Sequence, residues 1–300
     1  AYDYTSPNNY TTSNHDAPAY DYTSPDNYYS TSDHHYNDHS PSNHATSNNS
    51  AALIKMVSCV CITYGRAHLI GEAIESFLKQ DYQGDKELII INDFDQQELC
   101  CDMSNVHVLN SKRRFRSIGE KRNASIALSS GDVIFPWDDD DIHLPNRISH
   151  SLNEMRDGFY NPRMAWVINN GIKGPSKNTF HGIGCFTREL FDSVGGYPHI
   201  NSGQDAGIEK LFESKKPLPK YEIKNNDVYY VYRWSDTDSW HLSACGVDAN
   251  TGKNGMQLFS EMTQRKIDSG MQKTGKIEIT PFWKCDYPAF LKQILDAKQD

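Results

Sequence analysis

The chain has 300 residues, 39 acidic side chains against 30 basic ones, and a formal net charge of −9. That balance gives no general reason to expect a nucleic-acid or anionic-membrane binder, and no apolar run approaches the roughly 18–20 residues needed to cross a bilayer. The seven cysteines are odd in number and include no C-x-x-C pair. They suit neither a disulfide framework nor a zinc site, so reduced thiols in a cytoplasmic setting are expected. No secretory signal opens the chain, and a start at Ala1 rather than Met reads as a fragment or a processed product.

Residues 1–50 differ in material from the rest. Ala1–Pro18 and Ala19–Tyr36 share their opening at a period of 18, and a decayed third copy runs to about Ser50. This stretch holds eight tyrosines and six aspartates but no Leu, Ile, Val, Met, Phe, Trp, Cys, Lys or Arg. Without aliphatic side chains it cannot offset the entropy of ordering, and its units lack the buried face that a solenoid repeat needs. A disordered low-complexity tail is expected. Its five histidines (His15, His34, His35, His39, His44) read either as a solvated linker or as weak, adventitious metal binders.

From Leu53 the pattern alternates strand and helix. Met56–Thr63 reads as a strand and His68–Lys79 as a helix with an apolar stripe at Leu69, Ile70, Ala73, Ile74, Phe77 and Leu78. Glu87–Ile91 is too apolar to be half-exposed and reads as a central parallel strand. Val106–Leu109, the helix Ile118–Leu128 and Val133–Trp137 complete the first half. Repeated strand–helix–strand units predict an α/β fold with a mostly parallel sheet between helices.

In such sheets ligands bind beyond the carboxyl ends of the strands. That rule selects Thr63-Tyr64-Gly65-Arg66, Asn92-Asp93-Phe94-Asp95 and the run Asp138–Asp141, with Tyr64 and Arg66 as donor-side candidates. Four adjacent carboxylates at a strand end repel one another unless a hard cation such as Mg²⁺ or Mn²⁺ relieves them. On an extended backbone Asp138 and Asp140 share one face and Asp139 takes the other. The alternative is a solvated acidic loop. Between these groups, Lys112, Arg113, Arg114, Arg116, Lys121 and Arg122 form a basic run. Its position beside the aspartates suits a diphosphate, with Arg122 foremost, better than a nucleic acid or a merely solvated face.

In the second half, Ala165–Asn169 and Tyr229–Trp234 read as strands. Thr179–Phe186 reads as a strand through the sheet centre, and Ala206–Phe212 as a helix preceded by Gly203-Gln204-Asp205. The last fifty residues, with Met256–Ile267 and Ile277–Trp283, read as a helix and a strand packed on the domain.

These residues, in this order, resemble the family 2 glycosyltransferases of GT-A fold: Thr63-Tyr64-Gly65-Arg66, Asp93, Gly119-Glu120-Lys121-Arg122-Asn123, and Asp138–Ile142 followed by Pro145. The resemblance spans about Lys55 to His241. It implies a GT-A Rossmann-like domain over 51–300, with a nucleotide-sugar half (51–142), an acceptor half (143–245) and a C-terminal extension (246–300). It also implies that Thr63 and Asp93 hold the nucleotide base, that Asp138 and Asp140 frame Mn²⁺ or Mg²⁺, and that Asp139 touches the ribose while Asp141 is structural. The family's usual Asp-Asp-Gly-Ser after the second strand is Asn92-Asp93-Phe94-Asp95 here, and its acidic pair is Gln204-Asp205, so the first acid is absent and the second kept.

Asp205 is then the candidate base that deprotonates the acceptor hydroxyl, although an aspartate just before a helix is also a common cap. His241 is a candidate third metal ligand or a structural residue, and Trp240 a sugar-stacking ring or a core one. A carboxylate at Asp93 can accept a hydrogen bond from a uracil-type N3–H, which favours UDP- or dTDP-sugars. The function implied is metal-dependent sugar transfer, with inversion, to a saccharide, lipid-linked or protein hydroxyl, with peripheral contact at the cytoplasmic face of a membrane compatible with it. The alternatives are a nucleotide-sugar pyrophosphorylase or other nucleotidyltransferase, and a non-catalytic sugar-binding or scaffold protein.

Overall fold

A computed structural model describes residues 56–169, 171–234 and 252–297. The repeat tail at 1–50, Trp240 and His241 lie outside the described residues.

The first half is built from β1 (Met56–Thr63), α1 (Ala67–Leu78), β2 (Asp85–Asn92), β3 (Gln97–Cys100), β4 (Val106–Asn110), α2 (Ile118–Ala127) and β5 (Val133–Pro136). The apolar runs of β1, β2 and β5 are buried almost throughout, as strands covered on both faces must be. On α1 the residues Leu69, Ile70, Ala73, Ile74 and Phe77 are buried on one stripe at helical spacing. On α2, Ser117 caps the first turn by accepting a hydrogen bond from Glu120 N.

The second half contains β6 (Ile142–His143), α3 (Arg147–Glu154), β7 (Phe159–Tyr160), β8 (Met164–Ile168), β9 (Ile172–Lys177), β10 (Cys185–Thr187), α4 (Arg188–Ser193), α5 (Gln204–Lys215) and β11 (Tyr230–Arg233). Beyond residue 251 come α6 (Gly255–Asp268), β12 (Gly275–Glu278) and α7 (Tyr287–Asp296).

The main sheet has the order β4-β2-β1-β5-β10-β7. β4, β2, β1 and β5 run parallel, while β10 is antiparallel to both of its neighbours. The expected strand over 179–186 is therefore corrected. His181–Ile183 is a 3₁₀ turn, and only Cys185–Thr187 joins the sheet, off its centre. Gly182 lets this turn pass close to the acidic run: a Cβ there would lie 2.5 Å from Asp138 Oδ2 and from the Tyr230 hydroxyl. A second sheet has the order β6-β11-β8-β9, and β3 pairs in parallel with β12.

Register sets the site. Thr63 lies opposite Asn92, and Asn92 opposite Asn110, so three strands end on one line. β5 stops sooner, at Pro136 opposite Val60, which leaves room for residues 137–141 to turn across the end of β1. Arg147, fully buried, fixes that departure by donating to the carbonyls of Pro136 (2.7 Å) and Gly182 (2.6 Å).

Candidate active site

The three sequence-selected groups converge at this edge. Asn92 shapes the second loop without a Gly-Ser: its side-chain oxygen accepts from Phe94 N (3.2 Å) and its amide donates to the Gln97 carbonyl (2.7 Å). Asp93 is buried beside it. Its two oxygens accept from Phe115 N (3.0 Å) and from Lys121 Nζ (2.5 Å), which also donates to the Thr63 carbonyl (2.5 Å). Burial lowers the Lys121 pKa against the pull of Asp93. Lys121 thus ties the ends of β1 and β2 to α2, a role that no spacing in the basic run distinguished from its neighbours.

The acidic run departs from the extended geometry expected of it, because Asp139 and Asp140 form a turn. The alternation of faces does not apply. What separates the four carboxylates is their partners. Asp138 is 22% exposed, with Arg122 at 3.3 Å and the Tyr230 hydroxyl at 3.2 Å. Asp139 and Asp140 are buried and share the Arg66 guanidinium, at 2.8 Å from Asp140 Oδ2. Asp141 accepts from the Tyr230 hydroxyl (2.5 Å) and from Arg233 N (2.8 Å). Burial pushes the Asp139 carboxyl up to about 6, with Arg66 pulling the other way and Asp140 adding to the rise.

Asp205 lies in the first turn of α5 behind Gly203, whose φ of +77° is the left-handed conformation that glycine adopts freely. The helix N-terminus favours its negative charge. Its side chain is 40% exposed, and its Oδ1 faces Arg122 Nε at 3.5 Å without closing a hydrogen bond. Arg122 therefore stands between Asp138 and Asp205, with its guanidinium 5.7 Å from the centre of the Tyr197 ring. Tyr197 is buried and its hydroxyl meets His181 Nε2 at 2.7 Å, while His181 Nδ1 lies 3.0 Å from Glu209 Oε1, one turn along from Asp205. Tyr197, His181 and Tyr230 carried no functional signal in the sequence, where Tyr229–Trp234 read only as a strand.

The hard carboxylate oxygens of Asp138 and Asp140 fit Mg²⁺ or Mn²⁺ in kind, and Asp138 is open to the cleft. Among the described residues no three Asp, Glu, His or Cys side chains converge as a ready-made cage.

Residues 58–208 match the family described as Glycosyl transferase family 2, which is half of the chain. The chain belongs to glycosyltransferase family 2. The match contains every donor-side and catalytic candidate named above and both metal-framing aspartates, though not His241, and it sets aside the nucleotidyltransferase and scaffold readings. The fold of this glycosyltransferase is the mixed α/β, mainly parallel sheet expected of the family. Among solved structures it is similar to S. aureus TarS 1-349 in complex with UDP-GlcNAc (16% identity, 69% of this chain and 66% of that one, TM-score 0.47). It is also similar to the mannosyltransferase PcManGT from Pyrobaculum calidifontis in complex with GDP-Man and Mn2+ (14%, 81% and 79%, TM-score 0.43). It spans 59% of the length of the TarS 1-349 structure (16% identity, 58% of this chain, TM-score 0.43). No curated protein matches the chain. No helix among the described residues is long and apolar enough to cross a membrane.

Proposed function

We propose that this glycosyltransferase moves one sugar from a nucleoside-diphosphate donor, UDP- or dTDP-linked in preference, to a hydroxyl acceptor with inversion, and that Asp205 is the base. The observation that carries the reading is the pair of carboxylates facing each other across Arg122: a partly exposed Asp205 at a helix start, and Asp138 at the mouth of a buried acidic turn.

Thr63 and Asp93 form the base end of the cleft. Lys121 and Phe115 N hold the Asp93 carboxylate in place, so its remaining lone pairs are fixed acceptors for an N3–H. A Mn²⁺ or Mg²⁺ ion held by Asp138 and Asp140 would neutralise the diphosphate leaving group as a Lewis acid. His241 is a proposed third ligand, and Asp139 a proposed ribose contact. Asp205 takes the acceptor proton as the hydroxyl oxygen bonds to the anomeric carbon and the bond to the diphosphate oxygen breaks. Arg122 faces Asp205 from the side of Asp138, and position does most of the work.

Screening nucleotide-sugars with Mn²⁺ for a raised unfolding midpoint should identify the donor, since ligand binding stabilises the folded state. Asp205→Asn should then lower turnover by about a thousandfold while donor binding by calorimetry stays near normal. Lost binding with retained turnover would exclude the base role.

A further inference from the structure

The acidic turn carries a cation of its own. The Arg66 guanidinium, at the start of α1, forks between Asp139 and Asp140, and its side chain is only 16% exposed. The remaining carboxylates have other partners: Asp138 faces Arg122, and Asp141 takes the Tyr230 hydroxyl and Arg233 N. Arg66 thus supplies positive charge to two buried aspartates at once, and buried carboxylates are costly without such compensation.

This fork is clamped from a part of the chain outside the family-matched segment. The Phe259 ring of α6 lies 5.6 Å from the Arg66 guanidinium. Thr263 of the same helix sits where a Cβ on Gly65 would be, and Gly65 has φ +64°. Tyr64, just before Gly65, packs edge-on to Phe94 and against Phe259, and its hydroxyl reaches Ser260 at 3.3 Å. Arg114 lies over the Tyr64 ring at 3.9 Å and donates to Ser260 and the Met256 carbonyl. The two residues that precede Arg66, Tyr64 and Gly65, are therefore both held by a single helix.

We propose that Arg66 is an internal counter-cation which a divalent ion must displace from Asp140, so that Arg66 and the metal compete for one carboxylate. Two cations on one carboxylate repel each other strongly at a site screened from water, whereas exchanging one for the other leaves the buried aspartates compensated throughout. Displaced, the guanidinium keeps its charge, and the donor's diphosphate is the anion that binding brings to it. The inference rests on the metal reading above and deepens it.

The test uses Mn²⁺ alone, titrated into the full chain and followed by the loss of the free-ion electron paramagnetic resonance signal. Asp140→Asn run in parallel subtracts ions held by the histidines of residues 1–50. Arg66→Gln should bind Mn²⁺ about tenfold more tightly than the wild type, and its unfolding midpoint should fall without the ion and recover with it. Equal or weaker binding in Arg66→Gln, with binding still lost in Asp140→Asn, overturns the competition and leaves the metal site standing. No Asp140-dependent binding in either the wild type or Arg66→Gln overturns both. Should Arg66→Gln fail to fold, Arg66→Lys carries the same test. One ammonium cannot span two carboxylates as a guanidinium does, so Mn²⁺ should bind about threefold more tightly, and unchanged binding overturns the proposal.

Discussion

Glu209 illustrates how much one side chain can organise around a site it never enters. It accepts from Arg163 at 2.6 Å, and its Oε1 lies 3.0 Å from His181 Nδ1, which holds the Tyr197 hydroxyl beneath Arg122. Burial alone would raise its carboxyl pKa, but His181 and Arg163 outweigh that and lower it below the ordinary 4.5. A depressed folded-state value means that its contribution to stability is present above about pH 4.5 and is lost as the pH falls through the folded value. The unfolding midpoints of wild type and Glu209→Gln should therefore differ most at neutral pH and converge as the pH falls through the folded value. A gap that widens on acidification would contradict this arrangement. Nothing in the sequence marked Glu209, because its partners lie 28 and 46 residues away and meet it only in the folded chain. Thr63, Asp93, the aspartate run and Asp205 were legible because each sits at the end of an element whose pattern is plain.

At the scale of elements, the parallel core was readable from its apolar runs, and the short strands were not. β1 falls where its sequence pattern put it, and β2, β4, α2, β8 and β11 each do so within two residues at either end. β3, β6, β7 and β9, with α3, α4 and α7, left no comparable signal: several are two to four residues long, and their pairing partners are distant in sequence. Their fixing is tertiary. Glu72 on α1 shows the means. Fully buried, it receives Arg233 of β11 at 2.6 Å and the Tyr287 hydroxyl of α7 at 2.7 Å, joining three elements. Burial raises its pKa, and the Arg233 charge and hydrogen bonds more than reverse that rise. Replacing it by leucine leaves Arg233 buried without its carboxylate, at a cost of about 3–5 kcal/mol. Chemical denaturation should register that loss, and a change under about 1 kcal/mol would mean that solvent reaches the pair.

For the molecule as a whole, the pairing of β3 with β12 has a consequence in time. Its register sets Gln97 opposite Gly275 and Cys100 opposite Glu278, so an early strand waits for one made far later. The central sheet can close earlier, since β4, β2, β1, β5 and β10 all precede residue 188. Contacts of long sequence separation form late because the loop between them must be closed first. We therefore expect a growing chain to pass through a stage in which the sheet is complete while Tyr64 and Phe94 still face water. A chain ended after Trp234 should mimic that stage and bind an apolar-surface dye more strongly than the full chain, and equal dye binding would count against it. During synthesis, then, Tyr64 and Phe94 are expected to lack the cover of Phe259 until α6 leaves the ribosome, an interval in which exposed apolar surface favours aggregation.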